Sequence, residues 1–210
     1  MFLGQFQNVG YDLFIRGLAS SHSGNMSIRV GDRLIITRRG CRLTNLTEKD
    51  LIETGVDRND RATPAASSEL AFHRAIYQNT QAQAIVHAHP PTVVALSLLD
   101  DSVVPLDSSG ESSLGYVPVV GGGLSPQSKD VITAVAEAVK VYNAVICKGH
   151  GIFATGQLLE EAYLLTSVLE ESCQVLWFLK MLTLQDKDKV DKLLAQKRLE
   201  ISSNRQEAPS

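Results

Sequence analysis

Residues 67–98 read SSELAFHRAIYQNTQAQAIVHAHPPTVVALSL, and the succession of patterns inside this stretch decides the fold. Ser67 or Ser68 is placed to cap a helix, with Glu69 in its first turn, where a carboxylate is favoured by the helix dipole. The helical pattern is expected to stop near Asn79. AIVHAH has the character of a short buried strand, halted by Pro90 and Pro91, and TVVALSLL that of a helix beginning just beyond them. Helix, strand and helix in direct succession point to a layered α/β domain.

The flanking sequence extends this pattern in both directions. Upstream, Phe6, Val9, Leu13 and Phe14 lie at helical spacing in a segment from Phe6 to Leu18 that ends at Gly17, and SIRVGDRLIIT places a Gly-Asp step between two β-rich runs. A helix and then a hairpin are expected. Downstream, strand-like runs fall around Val103 to Leu106 and Gly115 to Val120. SPQSKDVITAVAEAVKVYN offers Ser125 as N-cap, Pro126 at the first helical position, and Val131, Val135 and Val139 on one face. AVIC and IFAT are strand-like runs separated by KGHG, and Gln157 to about Leu184 is the longest helical pattern, opening with Glu160 and Glu161. Charge dominates beyond Lys187, and the tail SSNRQEAPS is expected to fray. Neither a linker nor an internal repeat interrupts residues 1–200, so one domain over 1–210 is the expectation.

The 210 residues carry 20 Lys+Arg against 23 Asp+Glu, a net charge of −3, and 44% are hydrophobic. That apolar fraction supports a sizeable core and excludes disordered and collagen-like chains. With basic and acidic residues balanced and interspersed, no global field exists to grip a nucleic-acid backbone or an anionic membrane, so small molecules are the expected partners. Cys41, Cys147 and Cys173 are odd in number and form no CxxC pair, which suits a reducing cytoplasm and gives no thiolate zinc motif. No apolar run reaches the roughly 18–20 residues of a membrane span, and the N-terminus lacks the pattern of an export signal. A cytoplasmic location is expected.

The chemistry concentrates in a few polar side chains. His87 and His89 are two residues apart on a predicted strand, so their imidazoles leave the same face and can converge on one point. Zinc and similar divalent ions bind neutral imidazole, and a catalytic site wants three protein ligands and an open position. His150, between Gly149 and Gly151, is the strongest source of a third ligand, because glycines permit close backbone approach; His22 and His73 are weaker. The H-x-H spacing is equally that of two buried, hydrogen-bonded histidines. Glu69 can serve as a general base beside a cation or, alternatively, stabilise its helix terminus. Three clusters offer donors to an anion: SHSGNMS around Gly24 and Asn25, ITRRG around Thr37 and Gly40, and ASSE around Ser67 and Ser68, where a helix N-terminus adds free N–H groups. GGGLSP at residues 121–126 lacks the spacing of a dinucleotide fingerprint and is read as a tight loop.

In this order, GNMS, ITRRG, ASSELAFH, HAHP and KGHGIFATG resemble the class II aldolase/adducin family, most closely its fuculose-phosphate aldolase branch, over about residues 6–183. The resemblance implies a three-layer α/β/α fold around a central mixed, largely antiparallel sheet, and a homotetramer with active sites at subunit interfaces. It implies that His87, His89 and His150 hold Zn2+ (with Mn2+ or Co2+ as alternatives), that Glu69 is the catalytic acid/base, and that Asn25, Thr37, Gly40, Ser67 and Ser68 hold a sugar-phosphate substrate. The implied reaction is reversible cleavage of a ketose 1-phosphate to dihydroxyacetone phosphate and an aldehyde through an enediolate; no Schiff-base lysine is required, and Lys148 is read as structural. The family also contains sugar-phosphate 4-epimerases, dehydratases and adducin-type heads that act as interaction modules with a degenerate metal site. Two features depart from the pattern. A tyrosine that follows the HAH strand in the branch is matched here by Asp107, which becomes a candidate acid/base, and no tyrosine follows Tyr163.

Overall fold

In the computed structural model, which describes residues 2–123, 125, 127–183, 191–192 and 195–196, the chain begins with α1 (Phe2–Ile15) and the hairpin β1 (Asn25–Val30) and β2 (Arg33–Thr37), followed by β3 (Leu51–Gly55). The segment 67–98 contributes α2 (Leu70–Asn79), β4 (Ala84–Ala88) and α3 (Pro91–Ser97). Then come β5 (Ser102–Val103), α4 (Ser108–Ser113), β6 (Val117–Val120), α5 (Lys129–Ala138), β7 (Ala144–Cys147), β8 (Gly151–Gly156) and α6 (Leu159–Thr183). Pro126 and the SSNRQEAPS tail lie outside the described residues.

The eight strands form one sheet in the order β3-β2-β1-β4-β8-β7-β6-β5. Every neighbouring pair is antiparallel except β6 with β7, which is parallel. The alternation along β4 explains the layering. Ala84, Val86 and Ala88 enter a core shared with Phe6, Val9 and Leu13 of α1, Val93 and Leu96 of α3, and Leu159, Ala162 and Leu169 of α6. Ile85 points the other way, into a core with Phe72, Ile76 and Tyr77 of α2 and Val131 and Val135 of α5. A strand covered on both faces needs apolar residues at nearly every position, as AIV supplies. The result is a three-layer α/β/α domain with a mixed, largely antiparallel sheet.

Local departures from the sequence reading have identifiable causes. α2 starts one residue later than expected: Glu69 is its N-cap residue and makes no side-chain cap bond, because its carboxylate turns to His87 and His150; its backbone N–H is donated to Ser67 Oγ at 3.2 Å. Ser128, not Ser125, caps α5: its side chain accepts the Val131 N–H, while its own N–H reaches the Ser125 carbonyl. α4 is built from SSGESS, whose serines and glycine have weak helix propensity; Asp107 nucleates it by accepting the Gly110 N–H at 2.8 Å. The expected run to Leu106 shrinks to Ser102–Val103, and His89 falls one residue beyond the end of β4.

At Gly151 the start of β8 passes so close to β4 that a Cβ there would lie 2.3 Å from the Ala88 carbonyl oxygen and 2.7 Å from His89 Cδ2. Neither strand can yield without breaking ladder bonds. Gly151→Ala is expected to cost about 1–3 kcal/mol of stability, as overpacking does; a urea titration with an unchanged midpoint would contradict this packing.

Candidate metal centre

Three segments converge at one end of the sheet on the α2 side. His87, on β4, pairs in register with Asn25 of β1 on one side and Phe153 of β8 on the other. His150 sits in the turn between β7 and β8, and Glu69 stands at the head of α2. Gly149 adopts φ +68°, the left-handed conformation that a glycine accommodates without strain, and so closes this turn. The ligand atoms of Glu69, His87, His89 and His150 all lie within 4.8 Å of one another. His87 Nε2 is 2.7 Å from His89 Nε2 and 2.8 Å from Glu69 Oε2, while Glu69 Oε1 is 3.1 Å from His150 Nε2.

The chemistry of this donor set fits a cation. His87 Nδ1 is 2.8 Å from the Ile152 carbonyl oxygen, which can only accept, so Nδ1 carries a proton and donates it. In the neutral ring, Nε2 then presents a lone pair toward a second imidazole and a carboxylate. Such electron-rich atoms at contact distance require positive charge between them, from a proton or a metal ion. The Nδ1–H bond to a carbonyl is also the usual device for orienting a ligating imidazole. Phe153 stacks on the His87 ring at 4.2 Å between centroids, with Phe72 behind it at 4.6 Å, which fixes the ring plane.

The turns expected to bind an anion gather beside this cluster. Asn25 donates from Nδ2 to Glu69 Oε2 at 3.3 Å. The Thr37 carbonyl accepts the Ser67 N–H at 3.1 Å, and Thr37 Oγ1 accepts the Met26 N–H. Arg38 bridges to Ala66, so the turn holding Gly40 lies against the one holding Ser67. Ser67 and Ser68 line a cavity of about 570 Å³ together with Arg39 and Arg74. Asp107 is outside the four-residue cluster: one oxygen caps α4, and the other is buried without a hydrogen-bond partner among the described residues.

Residues 5–177 match the Class II Aldolase and Adducin N-terminal domain family. The chain belongs to this family. It is similar to an L-fuculose phosphate aldolase of Methanococcus maripaludis, 32% identical over 180 residues that cover 83% of this chain and 96% of the relative. A 3-oxo-tetronate 4-phosphate decarboxylase of Escherichia coli is 30% identical over 182 residues, covering 83% and 85%. Among solved structures, the L-fuculose-1-phosphate aldolase of Thermus thermophilus superposes with a TM-score of 0.82 at 36% identity, over 87% of this chain and 95% of that one. Class II aldolases depend on a metal, and in this member the Glu69, His87, His89 and His150 group can bind one.

In this class II aldolase domain, residues that sequence reasoning undervalued surround the cluster. His73, fully buried, joins Asn25 and Ser27, and Ser27 joins Tyr77. The signal was present: Glu69, His73 and Tyr77 recur every four residues, a polar stripe on the buried face of α2. Glu170 of α6, also buried, accepts the N–H groups of Thr92 and Val93 at 3.3 and 3.0 Å, capping α3 where Pro90 and Pro91 offer no side-chain acceptor. At the other end of α3, Ser97 Oγ accepts the Gly149 N–H at 2.9 Å. α3 therefore braces both the His89 segment and the His150 turn.

The protonation pattern of the metal-free cluster follows from burial and proximity. Burial pushes the Glu69 carboxyl up, but the His87 and His150 imidazoles outweigh it and hold the group well below the carboxylate range. Burial first, and the neighbouring His87 imidazole second, lower His73 to about 3 and His89 to about 4. The Cys147 thiol first, and Glu69 second, raise His150 to about 9. A raised pKa contributes stability that is complete below pH 6.5 and lost as pH rises to about 9. The depressed His73 and His89 act oppositely, because below pH 6.5 the unfolded chain takes up protons that these buried rings refuse. Glu69 adds to that acid-side loss below pH 4.5. In EDTA, the melting temperature is expected to peak near pH 6.5 and fall on both sides, with the alkaline limb flattened in His150→Gln. An unchanged alkaline limb in that variant would contradict the assignment.

Proposed function

We propose that this chain is a zinc-dependent aldolase that reversibly cleaves a ketose 1-phosphate, of the L-fuculose 1-phosphate kind, to dihydroxyacetone phosphate and a short aldehyde. The observation that carries the reading is the convergence of one buried carboxylate, Glu69, with three imidazoles on a single point. Similarity to L-fuculose phosphate aldolases over most of the chain supports it. A homotetramer in the cytoplasm, with sites at subunit interfaces, is part of the same proposal.

A divalent cation held by His87, His89 and His150, once bound, supplies a Lewis acid that takes up negative charge from the oxygens of the substrate. The carbon acid next to the ketone is then acidic enough for Glu69, which remains ionised at neutral pH, to accept its proton. In the cleavage direction the acid/base at the aldehyde oxygen accepts the hydroxyl proton of the departing half as the carbon–carbon bond breaks and the aldehyde leaves. Glu69, having taken a proton from solvent, delivers it to the enediolate carbon; the first group then releases its proton to solvent, so none is gained or lost overall. Asn25, Thr37, Gly40, Ser67 and Ser68 are proposed to hold the phosphate, with the dipole at the head of α2 favouring the anion. Asp107 is proposed as the acid/base at the aldehyde oxygen, acting on a neighbouring subunit.

A second reading, loss of carbon dioxide from a 3-oxo sugar-acid phosphate, is favoured by the decarboxylase relative at 30% identity, because that reaction also leaves a carbanion beside a carbonyl. Epimerase and dehydratase activities would use the same carbon-acid or carbonyl chemistry. The intact cluster of four weighs against a non-catalytic adducin-like module.

The test is solvent exchange. Zinc-loaded protein incubated with dihydroxyacetone phosphate in heavy water is expected to exchange one C3 proton stereospecifically, and Glu69→Gln to slow this by about 100-fold or more while zinc stays bound. Exchange undiminished in Glu69→Gln would remove Glu69 from the role. Asp107→Asn retains an N-cap acceptor, so a loss of aldehyde addition with C3 exchange and melting temperature intact would support the acid/base assignment. Unchanged addition would leave Asp107 with the cap alone.

A further inference from the structure

Five polar side chains on the buried α2 face of the sheet form an unbroken chain that ends on Glu69. Tyr77 Oη is 2.7 Å from Ser27 Oγ, and Ser27 Oγ is 2.6 Å from His73 Nδ1. His73 Nε2 is 2.6 Å from Asn25 Oδ1, and Asn25 Nδ2 is 3.3 Å from Glu69 Oε2. Tyr77, Ser27, His73, Asn25 and Glu69 expose between 0% and 6% of their surface. Water is therefore a poor substitute for any link, and each donor and acceptor must be satisfied within the protein.

The direction of every bond follows from its last member. An ionised carboxylate only accepts, so Asn25 must turn its amide nitrogen toward Glu69 and its oxygen toward His73. An amide oxygen only accepts, so His73 carries its proton on Nε2. Its Nδ1 is then an acceptor, Ser27 donates to it, and Tyr77 donates to Ser27. The depressed pKa of His73, about 3 and caused first by burial, keeps the ring neutral and so preserves this single tautomer across the working pH range. No proton needs to travel along the chain. Its effect is orientational: reversing any one link would set two donors or two acceptors against each other in a buried site, at the full cost of unmet desolvation.

We propose that His73 is a positioning residue that locks the Asn25 amide with its N–H toward Glu69, and so fixes which carboxylate oxygen is left to take the substrate proton. The inference rests on the reading of Glu69 as the base. Asn25 thereby couples two tasks, because the side chain proposed to meet the substrate phosphate is also the one that holds the carboxylate.

The experiment has two arms. The first is nitrogen-15 NMR of the imidazoles in the unaltered, metal-loaded protein, which needs no turnover; a neutral Nε2–H tautomer at His73 is expected, and an Nδ1–H tautomer or a charged ring would overturn the proposal. The second is C3 proton exchange in His73→Phe and His73→Gln. Phenylalanine fills the volume without a donor and is expected to lower kcat by about 10- to 100-fold, the range for outer-shell partners of a ligated site, with KM little changed. Glutamine places an amide N–H the same number of bonds from the backbone as Nε2 and is expected to restore most of that loss. Equal kcat in the unaltered protein and His73→Phe would overturn the proposal. If His73→Phe does not fold, Ser27→Ala takes its place: it removes the donor to Nδ1 and is expected to lower kcat in the same way, with an unchanged kcat overturning the proposal. Absence of exchange in the unaltered protein would count against the aldolase reading itself, and the tautomer would still decide the positioning role.

Discussion

Two imidazole nitrogens and a carboxylate oxygen meet at 2.7 and 2.8 Å in a buried corner of the sheet, and electron-rich atoms so placed hold together only around positive charge. Much of the surrounding structure serves that constraint. The Ile152 carbonyl fixes the tautomer of His87, Phe153 and Phe72 fix its plane, and Asn25 donates to the Glu69 oxygen that faces His87. Without a cation or a proton the same arrangement is repulsive, so metal affinity and protonation are two expressions of one feature.

The α/β/α architecture supplies the corner by bringing together segments far apart in sequence. β4 contributes His87 near its end, the β7–β8 turn contributes His150, and α2 contributes Glu69 by beginning one residue late. The close passage of β8 against β4 at Gly151 sets the distance between the two histidine segments. α3, tied to α6 through Glu170 and to the β7–β8 turn through Ser97, keeps them in register. Prolines at the start of α3 make the external carboxylate necessary, because neither residue can cap the helix from within.

How much of this was legible beforehand depended on the range of the interaction. The helix–strand–helix pattern of residues 67–98, the hairpin at Gly31 and the strand pair flanking KGHG follow from local periodicity and turn chemistry, and the structure has them close to where the sequence places them. The i, i+2 spacing of His87 and His89 and the glycines around His150 marked the right side chains, although spacing alone could not distinguish a metal centre from buried histidines. α4 was not legible, because SSGESS lacks helix propensity and forms only through the Asp107 cap and its packing on α6. Likewise the role of Ser125 passed to Ser128, a shift that no periodicity encodes. The His73 chain was visible only as a stripe on α2, since its partners Ser27 and Asn25 come from a strand more than forty residues away.

The central claim, that His87, His89 and His150 hold a divalent cation beside Glu69, is tested most directly by X-ray absorption on protein loaded with zinc and dialysed. One zinc per chain is expected, with a first shell of nitrogen and oxygen at about 2.0–2.2 Å and the outer-shell scattering of three imidazoles. A sulfur shell at about 2.3 Å, fewer than three imidazoles, or zinc lost on dialysis would contradict it.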